Sequence, residues 1–377
     1  MVSRLYHSTN HILKFGLEDI YHQYKNDFFI EDYDFILLAV SPSYPYKDIL
    51  PNIKKLNLKN CIAFNAINSF ANEKIVDGIT ALFIKFEHKG SISTYYQDNF
   101  DEIDSVYDYL KNNKNDLHII ISSVSDNVSV FIEKLNKKIE DLDVFLFGGI
   151  SSGDLKNNEM IAYQYIDNKI IKNGFMIISF KNVEFDNRIS SGYRPIGPIY
   201  KVNLSTGNKI YVAEYYDASE IAKKLLKEMP NNDITNLWYS PIVILDDKEG
   251  EVPIARSFKS VKDGEYVEFF GPIPRHSNIK LSFATENMLL ESDKKEALKM
   301  KEKLKQVELG LNFSCVVRQF ALGDKQDEET KLYVELLDSP MFGFFTFGEI
   351  GLNKFKTTLK LYNQTSLICG IKEINNE

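Results

Sequence analysis

The chain has few of the side chains that most metal, redox and disulfide chemistry requires. Its 377 residues include three cysteines (Cys61, Cys315 and Cys369), six histidines and a single tryptophan. An odd cysteine count with no C-x-x-C spacing excludes a disulfide framework and a zinc ribbon. Each cysteine sits in an apolar, strand-like run, so reduced buried thiols and a cytoplasmic address are expected. No H-E-x-x-H or Cys/His ligand spacing is present. His11 and His22 lie about 16 Å apart along a helix axis, too far to share an ion, and His7 precedes that helix. Positive charge is in short supply as well. Lys and Arg number 45 against 53 Asp and Glu, a net charge of −8. The lysines alternate with acids, as in "KKEALKMKEKLKQVE", so there is no basic field to hold a nucleic acid. No apolar run approaches the ~20 residues of a bilayer-spanning helix, and the N-terminus lacks the apolar stretch of a signal peptide. Direct membrane insertion is not expected.

What the chain does have is apolar material, 44% of residues, with Phe and Tyr plentiful. That is enough for packed cores, and the length favours two domains. In the first half "FILLAV" (35–40), "CIAFNA" (61–66) and "ITALFIKF" (79–86) predict strands, with a polar break and a helix between the first two. The order recurs as "LHIIIS" (117–122), a helix over "SDNVSVFIEKLNKKIEDL", then "VFLFGGI" (144–150) and "GFMIISF" (174–180). This predicts a duplicated strand-helix-strand-strand unit. The second half reads as antiparallel strands around Gly, Pro and Asp turns, beginning with "KVNLSTGNKIYVAEYYD". A long helix over "ENMLLESDKKEALKMKEKLKQVE" is expected to end by Gly310, followed by a strand "FSCVVRQFAL" and a polar helix "DEETKLYVELL". The expected fold is mixed α/β, with two α/β domains on mixed sheets. A lead-in strand and helix occupy 1–30, an N-terminal domain 31–214 and a C-terminal domain 215–377.

The segment "VFLFGGISSGD" (144–154) matches G-x-S-x-G, the nucleophile elbow of many hydrolases. An elbow must run directly into a helix, whereas "SGDLKNNEMIAYQY" predicts a turn and strands, so a serine hydrolase is not expected. The backbone N–H groups of this glycine-rich turn suit an anion instead. No phosphate loop is present, and the glycines of "SGYRPIGP" lack the flanks of a dinucleotide fingerprint. Cys315 lies near Arg318, a neighbour able to lower a thiol pKa. On a strand, however, the two point to opposite faces. Arg318 and Arg194 both lie among apolar neighbours, where a guanidinium needs an anionic partner. That partner is either an internal acid, such as Glu349 for Arg318, or a ligand carboxylate held bidentately.

At these residues the chain resembles the FIST family. "FGGISSGD", "SSGYRPIGPIYKVNLSTGNKIYVAE", "FSCVVRQFALG", "FGFFTFGEIG" and "LYNQTSLI" follow one another in the order of that family's signatures, from about residue 30 to 368. The matching positions are Gly148, Gly149, Gly153 and Asp154, then Gly192, Arg194, Pro195, Gly197 and Pro198, and finally Cys315, Arg318, Gly348, Glu349, Ile350, Asn363 and Thr365. The resemblance implies a bacterial sensory module binding a small ligand such as an amino acid, and signalling in trans to a separate protein such as a histidine kinase or diguanylate cyclase. It also implies an alternative, a haem-containing nitric-oxide sensor acting on a histidine kinase, for which His118 and His276 are the strand-associated axial candidates. A third reading is an enzyme using Cys315 or Ser151. One departure stands out: "CIAFNAINSF" carries Asn65 where the family has a glycine turn. The expected ligand site is therefore Gly148, Gly149, Ser151, Ser152 and Asp154 for backbone and side-chain donors, and Arg194 or Arg318 for a carboxylate. Glu349 would accept an amine, with Asn363 and Thr365 nearby.

Overall fold

The computed structural model describes residues 1–27, 32–156, 159–214, 216–227, 233–245, 252–353 and 357–375. The unit predicted twice in the first half is present, and it occurs a third time. In the first unit, strands Phe35–Val40 and Cys61–Asn65 run parallel around helix Tyr46–Lys55, and Ile79–Lys85 returns antiparallel to Phe35–Val40. Strand Val2–Ser8 pairs with Ile79–Lys85 and leads into helix Leu13–Lys25. The segment expected as a lead-in is thus an edge strand and outer helix of this unit.

The second unit repeats the order with strand Ser91–Gln97, helix Ile103–Asn112, strand Leu117–Ser122, helix Asn127–Ile139 and strands Phe145–Ile150 and Phe175–Lys181. The third is built from strand Val183–Ser190, helix Glu286–Leu304, strand Leu309–Cys315, helices Val316–Leu322 and Glu328–Leu337, and strands Met341–Thr346 and Ser366–Glu373. The registers coincide. The cross-strand row Ser8, Ile79, Val40, Asn65 corresponds to Gln97, Phe175, Ser122, Ile150 and to Ser190, Ser366, Ser314, Phe345.

Each unit donates a hairpin to another. The first unit's Ser69–Ala71 and Lys74–Val76 pair onto Met341–Thr346 of the third. The second unit's Gln164–Ile166 and Lys169–Ile171 pair onto Cys61–Asn65 of the first. The third unit's Glu349–Leu352 and Leu359–Tyr362 pair onto Phe145–Ile150 of the second. The exchange is cyclic, and it completes three six-stranded sheets. At every crossing a small residue on the receiving strand faces a large one on the donated strand: Ala63 faces Tyr165, Gly148 faces Ile350 and Gly343 faces Phe70. The space is fully used, since a Cβ on Gly343 would lie 1.9 Å from the carbonyl oxygen of Asn312. Asn65 secures one crossing, its Nδ2 donating to Val40 O at 3.2 Å and its Oδ1 accepting from Tyr163 N at 2.8 Å.

The three sheets turn one face inward onto a shared core that includes Phe64, Leu82, Phe147, Met176, Phe313 and Leu367. The helices cover the outer faces through separate apolar clusters. Burial on both faces explains why the parallel strands read as unbroken apolar runs. The described strands between Arg194 and Phe283 form an inserted antiparallel eight-stranded sheet with its own core around Val202, Phe258 and Phe269. The insertion leaves and rejoins the third unit side by side, Arg194 opposite Phe283. The third unit therefore takes residues from both sides of the insertion.

Two local expectations differ from the structure. The long helix ends at Leu304, and Gly310 lies inside strand Leu309–Cys315. "FSCVVRQFAL" is strand only to Cys315 and continues as helix Val316–Leu322, because a short apolar run carries no period to separate the two states. No helix among the described residues is long and apolar enough to cross a membrane. Gly343→Ala is expected to cost about 3 kcal/mol or more, because a central-strand carbonyl must move to admit the methyl. Gly197→Ala, where a Cβ meets nothing within 4 Å, should cost about 1 kcal/mol through backbone strain alone; urea denaturation of the two variants checks the difference.

Candidate functional site

The carboxyl ends of five of the six parallel strands converge on one cavity of about 850 Å³. Ser41 and Ser43 reach it from the end of Phe35–Val40, Ile67 and Asn68 from Cys61–Asn65, and Gly153 and Asp154 from Phe145–Ile150. Val316 and Val317 come directly after Leu309–Cys315, and Phe347 after Met341–Thr346. This is where α/β sheets place ligands, since helices leave the crevice open at that end. The insertion closes one side with Trp238, Tyr239, Ser257 and Phe270.

That side is an aromatic wall. The Trp238 ring lies 5.5 Å from Phe320 and 6.3 Å from Phe270, and its Nε1 donates to Phe258 O at 2.8 Å. Tyr239 and Phe320 are 52% and 51% exposed, so their rings stay open on the cavity wall. Opposite them, Ser41 Oγ donates to Asp77 Oδ1 at 3.2 Å and lies 2.9 Å from Ser43 Oγ. Among the described lining residues the charged groups are Asp77 and Asp154, with no Lys, Arg or His. The cavity is aromatic, hydroxyl-bearing and acidic.

Asp154 and Asn363 of the expected site line this cavity. Glu349 and Thr365 are buried beside it: the Glu349 carboxyl accepts from Thr365 Oγ1 at 2.6 Å, from Thr365 N at 3.3 Å and from Thr346 Oγ1. With no cation in contact among the described residues, burial pushes the Glu349 pKa up to about 8. Cys315 also lines the cavity, and burial pushes its thiol up as well. Gly148 and Gly149 are strand residues that receive the donated hairpin. Ser152 Oγ accepts from Ile67 N at 2.9 Å, while the buried Ser151 Oγ meets no partner among the described residues. Beyond Ile150 the chain passes through a loop into strand Asp154–Lys156, so the helix of a nucleophile elbow is missing.

The two arginines stand elsewhere. Arg194 is exposed at the start of strand Arg194–Thr206 and not held among apolar neighbours. Arg318 is fully buried behind the third sheet, and its internal partners are Asp293 and Glu329, not Glu349. Nη2 lies 2.6 Å from Asp293 Oδ2, and Nε donates to Glu329 Oε2 at 2.7 Å. Nη1 donates to Ser191 O at 2.8 Å, and Nη2 also reaches Leu289 O at 3.3 Å. These bonds turn the guanidinium into the protein and away from the cavity.

The two histidines considered for haem do not fit it. His118 is buried with both nitrogens engaged, Nδ1 with Ser179 Oγ at 2.7 Å and Nε2 with Asn113 O at 3.0 Å, and burial lowers its pKa to about 4. His276 sits on an exposed turn, and neither lines the cavity. Sequence reasoning missed Ser41, Ser43, Asp77, Trp238, Tyr239 and Phe320. Two signals were available: the polar break "SPSYPYKD" directly after a buried strand, and the only tryptophan.

The FIST N domain model matches residues 34–214, and the FIST C domain model matches 218–352. An uncharacterised protein of Aquifex aeolicus is 30% identical over 259 residues, covering 65% of this chain and 96% of its own length.

The buried charges predict two outcomes. Arg318→Met leaves Asp293 and Glu329 unpaired and is expected to cost about 3–5 kcal/mol, read by chemical denaturation. The Glu349 carboxyl binds its proton more tightly folded than unfolded, so unfolding releases a proton between the ordinary value of 4.5 and about 8. Stability attributable to this group therefore declines as pH rises through that window, by a few kcal/mol in order of magnitude. Glu349→Gln should flatten that part of the stability–pH curve.

Proposed function

Because the chain belongs to the FIST family of sensory domains, we propose that the cavity at the strand ends receives a small ligand and that its occupancy is signalled to a separate protein. The observation that carries this reading is the cavity of about 850 Å³ itself, a volume suited to a metabolite. Its chemistry favours an organic ammonium group. Asp77 and Asp154 supply negative charge, and the faces of Trp238, Tyr239, Phe270 and Phe320 attract a cation and cover an apolar body. The amine end of an amino acid satisfies these features. A carboxylate clamp by Arg194 or Arg318 does not, since neither lines the cavity.

One wall belongs to the insertion and the rest to the repeated body, so a bound ligand biases the position of residues 194–283 against the body. That displacement is the signal a cytoplasmic histidine kinase or diguanylate cyclase would read. An enzyme has less support: the Cys315 thiol is held protonated by burial, and no base lies against Ser151 Oγ among the described residues.

Trp238 provides the assay. Titration with a panel of primary amines, tyramine among them, is expected to change its fluorescence saturably, whereas the matched neutral analogue 4-ethylphenol binds at least about tenfold more weakly. Asp154→Asn and Phe320→Ala should each weaken the amine by a similar factor. Equal binding of amine and neutral analogue defeats the ammonium assignment.

A further inference from the structure

A second cavity, of about 430 Å³, lies where the insertion meets helix Asn127–Ile139 and the third unit's donated hairpin. Its one buried charge is Arg256, only 3% exposed. Unlike Arg318, Arg256 has no carboxylate in hydrogen-bond contact among the described residues. Its Nε donates to Pro272 O at 3.1 Å, and its Nη1 donates to Ala255 O at 2.9 Å and to Asn363 Oδ1 at 3.4 Å. These bonds use Nε and Nη1, and Nη2 meets no acceptor there. The pocket for the guanidinium is built to measure: a Cβ on Gly271 would lie 2.7 Å from Arg256 Nε.

A guanidinium that is buried without an anion in contact bears a desolvation cost, and burial lowers the Arg256 pKa to about 10 against the partial pull of the Glu349 charge beyond contact distance. The rest of the lining indicates what would offset that cost. Ile132, Ile244, Ile254, Leu359, Leu361 and Pro272 supply apolar walls, and the other charges on the lining are Glu133, exposed, and Lys360, half-buried. Walls of this kind disfavour a strongly hydrated phosphate and favour an anion with an apolar body.

We propose that Arg256 anchors a second binding site, for a small carboxylic acid with an apolar body. The carboxylate accepts from Nη2, and the hydrocarbon lies along the isoleucine and leucine walls. The charge of this site is opposite to that of the main cavity, so the two select different ligands. They are joined by one hydrogen bond, because the Asn363 carbonyl that accepts from Arg256 belongs to a residue lining the main cavity. The site stands independently of the ammonium reading.

The test is a calorimetric titration of the full chain with hexanoate, with hexanol and inorganic phosphate as comparisons. Saturable hexanoate binding, at least about tenfold tighter than hexanol, is expected, with a loss of about tenfold or more in Arg256→Gln. Should Arg256→Gln fail to fold, Ser129→Phe fills the cavity mouth from a half-buried position and is expected to abolish the same binding. No saturable hexanoate binding below about 10 mM, equal affinity for hexanol, displacement by equimolar phosphate, or undiminished binding in both variants would each overturn the assignment. Unchanged tyramine binding in Arg256→Gln would leave the ammonium reading intact whichever way hexanoate falls.

Discussion

The constraint on which this structure depends is the cyclic exchange of hairpins. No unit completes its own sheet; each ends at a strand whose outer edge is taken by a hairpin from another unit. A free edge of that length would otherwise invite pairing with another chain. The register of the crossing is fixed by size, a small residue set against a large one, and a shift of one residue would drive Tyr165, Ile350 or Phe70 against its neighbour's wrong face. The exchange also explains why one core serves all three sheets. Each unit's hairpin completes another's sheet, so the shared core has no seam at which a whole unit separates.

The same constraint places the site. Each donated hairpin departs from the carboxyl end of a parallel strand, so the loops of all three units meet at that end. A cavity there is lined by every unit without any long loop reaching across. The symmetry is broken by the insertion, which emerges only from the third unit. Arg318 secures that break: it ties helix Glu286–Leu304, through Asp293, to helix Glu328–Leu337, through Glu329, and holds the carbonyl of Ser191 where the chain departs. Buried ion pairs of this kind are weak sources of stability but penalise mispacking strongly. The arginine of "FSCVVRQFALG" is therefore an architectural joint.

Much of the fold was legible in the sequence for the same physical reason throughout. Strands buried on both faces must be apolar without interruption, and "FILLAV", "CIAFNA", "LHIIIS" and "VFLFGGI" stand out accordingly. The third copy did not, because the insertion separates Val183–Ser190 from helix Glu286–Leu304, and because an apolar segment crossing from strand to helix at Cys315 shows no change of composition. The cavity was legible only in part. Its walls come from short segments far apart in the chain, and the glycines and arginines that drew notice serve crossings and joints. Gly148 stands opposite Ile350 and admits the close approach of the Ile120 carbonyl, and Arg318 binds helices; Asp154 and Asn363 reach the cavity.

Equivalent positions of the three units have diverged in chemistry. Ser69, Gln164 and Glu349 each open a donated hairpin, each stands opposite its receiving strand at the same register, and each is buried. Ser69 Oγ is satisfied by Thr80 Oγ1 at 2.8 Å. Neither amide atom of Gln164 has a partner among the described residues. Glu349 is held by Thr346 and Thr365, two residues from the cavity-lining Asn363, which in turn accepts from Arg256. A hydroxyl, an amide and a carboxyl thus occupy one structural position in three copies. The carboxyl falls in the unit that carries the insertion, and its partner Thr365 lies two residues along the chain from Asn363, which lines one cavity and accepts from the arginine of the other. The three units bring their strand ends to one cavity, and the insertion supplies the wall that makes it asymmetric.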